Sequence, residues 1–198
     1  VHGQRRIDGN FGFCKPPHLV ATVGVEEYRQ TIPNAVQLGD AVLEVGCHLG
    51  TSTITLHEQA SVGDIENSGG YCIGVDVGSS IIDGAKKRYP NVHFAVGDAW
   101  RTADLLRLQQ EYLSTRKDPV GRSTGFDVVY VDVGGLSGND GLLESLCLLS
   151  AIEHALEPRC IVIKSMCMRK LSSSLVSFWQ NQKRISSIAT DASLNNTP

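Results

Sequence analysis

Four carboxylates and one lysine stand at or just beyond the ends of apolar runs in this chain. Glu44 lies in AVLEVG, Asp76 closes YCIGVD, Asp98 follows VHFAVG, Asp132 closes FDVVYVD, and Lys164 lies in CIVIKS. A carboxylate at a strand end can accept hydrogen bonds from both hydroxyls of a ribose, a role suited to Asp76, next to Val77. Asp98 and Ala99 are placed to meet an adenine edge. The stretch Gly46-Cys47-His48-Leu49-Gly50 leads into a row of hydroxyl residues from Thr51. Glycine permits a sharp turn and a close approach of backbone to ligand. The start of a helix behind it offers unpaired N–H groups. Two glycines alone fit a turn that binds nothing. Four consecutive strand ends carrying glycine or carboxylate (Gly46, Asp76, Asp98, Asp132) point to a nucleoside-type cofactor.

Asp132 and Lys164 bear on reactivity. A lysine within CIVIKSM is costly to bury unless it is paired, and Asp132 is the nearby partner that consecutive strand ends would supply. One reading is a structural ion pair, or a lysine whose head reaches past the strand end to water. The other is catalytic: an ammonium beside an acceptor hydroxyl lowers its pKa, or a neutral amine takes its proton.

These residues need a scaffold that brings strand ends together. Runs at 41–46, 71–76, 92–97, 126–132 and 160–165 read as continuous apolar strands, the pattern of a parallel sheet covered on both faces. Helical patterns fall between them. One begins near Thr51, SSIIDGAKKRYP stops by Pro90, and TADLLRLQQEYLSTRK follows. GLLESLCLLSAIEHALEP carries Leu142, Leu146, Leu149, Ile152 and Leu156 as one stripe. LSSSLVSFWQNQK is a further helix candidate and RISSIAT a sixth, edge strand. Strand and helix in alternation predict an α/β fold, a Rossmann-like doubly wound sheet, mostly parallel, with ligands outside the carboxyl ends of its strands. Residues 38–198 are expected to form this domain, and 1–37 an extension able to act as a lid. There Tyr28 and His18 either contact an acceptor or pack against the sheet. The chain opens without Met and stops at NNTP, which reads as a fragment with an incomplete C-terminal edge. The segments 61–70 and 118–125 read as surface insertions.

The chain has 198 residues, 41% hydrophobic and 20% charged, with a formal charge of -3. That favours one soluble domain and gives no global attraction to nucleic acid. No apolar run is long enough to span a membrane, and the first residues lack the apolar core of a signal peptide. An intracellular location, cytoplasmic or nuclear, is therefore expected. The six cysteines form no C-x-x-C pair. They read as buried reduced thiols, and no metal site is expected. From Pro158 to Thr190 there is no acidic residue, whereas Arg159, Lys164, Arg169, Lys170, Lys183 and Arg184 are present. That stretch would follow an RNA backbone or form an ordinary solvated face. Phe178 and Trp179 would stack on bases or lie in the core.

LEVGCHLGTS resembles the first motif of class I S-adenosylmethionine-dependent methyltransferases, E/D-x-G-x-G-x-G, at Glu44, Gly46 and Gly50, with His48 replacing the middle glycine. CIGVD, VGDAW and FDVVYVD are similar to that family's ribose, adenine and fourth-strand motifs. The resemblance spans about residues 38 to 170. It implies S-adenosyl-L-methionine as cofactor. Glu44 would sit toward the methionine amino group, Gly46, Cys47, His48 and Gly50 along the methionine and ribose, Asp76 on the ribose, and Asp98 on the adenine amino group. Asp132 and Lys164 resemble the middle members of the K-D-K-E or K-D-K-H set of ribose 2'-O RNA methyltransferases of the heat-shock and fibrillarin types. That likeness implies catalytic roles for both residues and an RNA ribose hydroxyl as acceptor. The outer members have no clear match, and only Asp191 stands in the last stretch. A small-molecule or protein acceptor, or a silent binding module, is the alternative. Lys164-Ser165 stands where the cation-dependent catechol type would carry an Asp-Asn metal pair.

Overall fold

The computed structural model describes residues 18–61, 69–113 and 125–175. Among the described residues, six strands form one sheet: β1 (His18–Thr22), β2 (Ala41–Val45), β3 (Tyr71–Asp76), β4 (His93–Val96), β5 (Val128–Val131) and β6 (Cys160–Lys164). Their order is β1-β6-β5-β2-β3-β4, and every pairing is parallel. All five residues of β2 and all four of β5 are buried, as continuous apolar runs require when both faces are covered.

Alternate residues of the strands feed two separate cores. Leu43, Val45, Ile73, Val129 and Ile161 pack with residues of α5 (Thr102–Leu113) and α6 (Leu142–Leu156). Val42, Cys72, Val128, Tyr130 and Val162 face α1 (Gly24–Gln30), α2 (Ile32–Ala35) and α3 (Thr51–Ser61). Helix α4 (Ser79–Arg88) closes a third cluster through Ile82 and Ala85 against Phe94. Its last turn carries Lys86, Lys87 and Arg88, which complement the negative end of the helix dipole. The sheet is doubly wound, with helices on both faces. From β2 the chain moves to β3 and β4 on one side, then returns to β5 and β6 on the other. The crevice at the carboxyl end of β2 is thus the switch point.

Three segments depart from the sequence reading. Residues 18–36, within the expected N-terminal extension, supply β1, paired along its length with β6, and two helices lying on the sheet. HLVAT becomes a strand because β6 presents an edge to it, and Ser165 N–H donates to the Thr22 carbonyl at 3.0 Å where the two strands end. In α6 the buried stripe is Ser145, Leu148, Leu149, Ile152 and Leu156, and Leu146 is exposed. The seam starts at Ser145 because its hydroxyl faces that of Ser165 at 3.4 Å, under α7. Helix α7 itself begins at Met166, earlier than expected. Ser165 caps it by accepting the Met168 N–H at 3.4 Å. The rest of that helix candidate, Phe178, Trp179 and the RISSIAT strand lie outside the described residues. So do the Asp191 position and most of both insertions. Four of the five described cysteines are buried, while Cys147 is exposed. No described helix is long and apolar enough to cross a membrane.

Candidate functional site

The strand registers converge on one row. Val45 is paired with Val75 on one side and Val131 on the other, and Val131 with Ile163. One residue further on, Asp76, Gly46, Asp132 and Lys164 lie side by side across β3, β2, β5 and β6. Asp76 is itself paired with Val96, and Thr22 with Lys164. The row therefore crosses the whole sheet at its carboxyl rim, with the switch point in the middle.

On the β5–β6 side the charges meet each other. Lys164 Nζ donates to Asp132 Oδ2 at 2.5 Å, and both side chains are largely buried, at 15% and 24% exposure. Two residues back along β2, Glu44 points into the α1–α3 face and is 2% exposed. The Thr53 hydroxyl donates to its Oε2 at 2.5 Å and the Tyr28 hydroxyl to its Oε1 at 3.3 Å. Arg29 Nε donates to Ser52 Oγ at 3.1 Å, tying α1 to α3 above this carboxyl. Burial pushes the Glu44 carboxyl up to about 7, and the Asp132 charge adds to the rise. The Thr53 and Tyr28 hydroxyls and Arg29 oppose it. Thr53 and Tyr28 were not recognised from sequence as its partners. The run of hydroxyls after Gly50 was the only visible signal.

In the middle, the glycines are bare for internal reasons. Gly46 has φ +81°, and a Cβ there would lie 2.1 Å from the Asp132 carbonyl oxygen. Gly50 has φ +79°, and a Cβ there would lie 2.5 Å from the Phe94 ring. The protein's own atoms, rather than a ligand, exclude a side chain at both points. Cys47 is buried against the α4 cluster, and its thiol is pushed upward by burial. His48 is exposed and has φ +48°.

On the β3–β4 side the carboxylates are held by backbone. Asp76 Oδ2 accepts the His48 N–H and Oδ1 accepts the Gly78 N–H, each at 3.1 Å. An ionised carboxylate has about four lone-pair sites, so acceptor capacity remains. Asp98 Oδ1 accepts the Trp100 N–H at 2.9 Å. Ala99 is buried in the α5–α6 core, so its side chain is directed away from the rim. Val77 and Trp100 are exposed, at 68% and 47%. Trp100 was not singled out from sequence, although it stands two residues beyond Asp98.

Other expected contacts fall elsewhere. Tyr28 is fully buried and packs edge-on against Tyr130 with ring centroids 5.1 Å apart. His18 is paired with Cys160 at the start of β6, the opposite end of the sheet from Lys164. The basic residues after Pro158 do not form one track among the described residues. Arg159 precedes β6 and forms a two-pronged contact with Asp40, at 2.8 and 2.7 Å. Lys164 ends the same strand, about 16 Å away at the usual rise per residue. Arg169 lies 3.9 Å from Glu27, and Lys170 donates to Asn139 at 2.6 Å. Lys183 and Arg184 lie outside the described residues.

No protein-family model matches the chain, and no curated protein matches it. Solved structures share parts of it. A TehB-like SAM-dependent methyltransferase from Corynebacterium glutamicum matches at 21% identity over 69% of this chain and 60% of its own, with a TM-score of 0.42. A SAM-dependent methyltransferase from Mesorhizobium loti matches at 16% identity over 66% and 47%, with a TM-score of 0.40. An O-methyltransferase from Bacillus cereus, in complex with SAH, matches at 20% identity over 64% and 53%, with a TM-score of 0.37. The matched part is less than two thirds of each of those chains. At these TM-scores the likenesses do not bear on activity.

Proposed function

We propose that the protein is a methyltransferase that takes S-adenosyl-L-methionine across its carboxyl rim and methylates a hydroxyl. The observation that carries this reading is the row itself. Asp76, the Gly46 turn, Asp132 and Lys164 share one register at the switch point of a doubly wound sheet, where such folds place their ligands. The side chains present suit the cofactor. Asp76 keeps acceptor capacity for two ribose hydroxyls, and Asp98 stands one strand further out, toward the adenine. Val77 and Trp100 give that end of the rim exposed apolar surface of the kind a flat ring covers. Glu44 lies beneath the turn, and its role is to set the charge under the methionine end.

When bound, S-adenosylmethionine supplies a methyl group already activated on a sulfonium. The protein's own work is then alignment and proton handling. Lys164 Nζ, held by Asp132, is the group that meets the acceptor hydroxyl. Paired with Asp132, the ammonium stabilises the alkoxide that develops as the hydroxyl gives up its proton to solvent. Asp132 fixes its direction. The hydroxyl acceptor follows from this pair. An RNA ribose is the acceptor that the sequence resemblance implies, and the described basic residues add nothing to it.

The test offers methyl-labelled donor, with the protein, to total RNA, to a metabolite extract and to mixed protein. Label is expected in a hydroxyl-bearing acceptor and is expected to fall at least about a hundredfold in Lys164→Ala, as loss of a positioned acid or base does. Undiminished labelling by the variant would remove Lys164 from the chemistry. Donor binding with no label in any fraction would favour a binding module.

A further inference from the structure

We propose that the outer edge of β1 is a docking slot for an extended peptide of a partner protein, which adds to the sheet as a further strand. The register with β6 decides which backbone groups are open. His18 N–H donates to the Arg159 carbonyl and Ser165 N–H to the Thr22 carbonyl, at 3.1 and 3.0 Å. In a parallel strand the N–H and C=O of one residue point the same way, and successive residues alternate. His18, Val20 and Thr22 therefore face β6, whereas Leu19, Ala21 and Val23 turn outward. The Val23 N–H is taken by Glu27 Oε2 at 2.9 Å. Among the described residues, nothing takes the N–H and C=O groups of Leu19 and Ala21. Open groups of this kind are a template for another strand.

Helices from both faces of the sheet wall this edge. Gln30 and Asn34 line it from the α1–α2 side, and Arg169 from α7, whose Met168 packs into the opposite core. The groove between them has a volume of about 580 Å³ and runs along Val20 and Ala21, a size common to ligand clefts. Arg169 lies 3.9 Å from Glu27, so the two walls meet at the carboxyl end of β1. A lone strand fits between such walls. The β1 edge of a second copy would bring its own α1, α2 and α7 with it, and they would collide with these. The walls also differ in chemistry. Leu19 shares a side with Ala21, which packs on the α7 core, and Leu19 is 51% exposed there. The other side presents the carboxamides of Gln30 and Asn34. Successive side chains of a strand point to opposite faces, so the guest that suits both walls alternates apolar and polar residues.

The experiment offers the full chain a short capped peptide of alternating threonine and valine, and follows fluorescence anisotropy and amide hydrogen exchange. The native chain is expected to bind it saturably. The Leu19 and Ala21 amides should exchange fast in the free chain and about tenfold or more slowly with peptide bound, while that of Val20, already bonded to β6, stays as it was. The same peptide N-methylated at every amide has no donor for the ladder and should bind at least about tenfold more weakly. Ala21→Pro removes an outward donor and spares the β6 ladder. It should lose the peptide by a similar factor and melt close to the native temperature. Should that variant not fold, the methylated peptide decides the matter on the native chain. No binding, or equal affinity for the two peptides, overturns the inference. So does a folded Ala21→Pro that binds as the native chain does. Leu19 and Ala21 amides already protected in the free chain overturn it too, because other residues of the chain or a second copy then hold the edge.

Discussion

The two halves of the carboxyl rim solve the same electrostatic problem differently. On the β5–β6 side, charge is answered inside the protein, Lys164 by Asp132, and beneath it the Glu44 carboxyl of β2 accepts from Thr53 and Tyr28. On the β3–β4 side, Asp76 and Asp98 accept N–H groups from turns at the rim, and Val77 and Trp100 stand exposed beside them. The first half is built to be stable with its charges in place. The second keeps hydrogen-bonding capacity and apolar surface facing outward, which is what a nucleoside uses. Stability and binding should therefore separate when the halves are perturbed.

The largest effect is expected at the hinge between them. Gly46→Ala places a Cβ 2.1 Å from the Asp132 carbonyl oxygen at a positive φ. It should cost more than about 4 kcal/mol in a urea titration, by overpacking backbone against backbone. Gly24→Ala is the control. It shares a positive φ, but a Cβ there meets nothing within 4 Å. Its cost should be about 1 kcal/mol, the conformational part alone.

Next comes the buried carboxyl. Glu44 rises from an ordinary 4.5 to about 7 on folding. The folded chain therefore holds this proton more tightly than the unfolded chain. Its contribution to stability is full below about pH 4.5 and is lost as pH rises through about 7, by about 3 kcal/mol at most. Denaturation midpoints measured across that window should fall in the native protein and stay flatter in Glu44→Gln. A smaller loss, about 2 kcal/mol, is expected for Asp132→Ala, which leaves Lys164 partly buried and alone. The same variant should move the Glu44 transition to lower pH, because the Asp132 charge contributes to the rise. A transition that stays in place would separate the two groups.

Much of this arrangement was legible in the sequence because strand ends are marked by composition. The runs ending at Asp76 and Asp132, and the lysine ending CIVIK, sit within a residue or two of where β3, β5 and β6 stop. What escaped has physical causes. HLVAT has too few residues to show a period, and only the free edge of β6 makes it a strand. Bare glycines look the same whether a ligand or the protein fills the space, and here Asp132 and Phe94 fill it. Leucines in α6 outnumber its buried positions, so helical spacing alone fitted a stripe that admits Leu146 and omits Ser145 and Leu148. Glu44 reads as a rim residue by motif. Its direction into the α1–α3 face comes from alternation along β2, and its partners from two helices distant in sequence.

The most direct measurement is a calorimetric titration of the native chain and of Asp76→Ala with S-adenosylhomocysteine, alongside their thermal melts. The native chain should bind one equivalent, and the variant should lose at least about tenfold in affinity while melting close to the native temperature. A folded native chain that takes up no S-adenosylhomocysteine, or an Asp76→Ala variant that binds it as tightly as the native chain, would contradict the proposal that the open half takes a nucleoside.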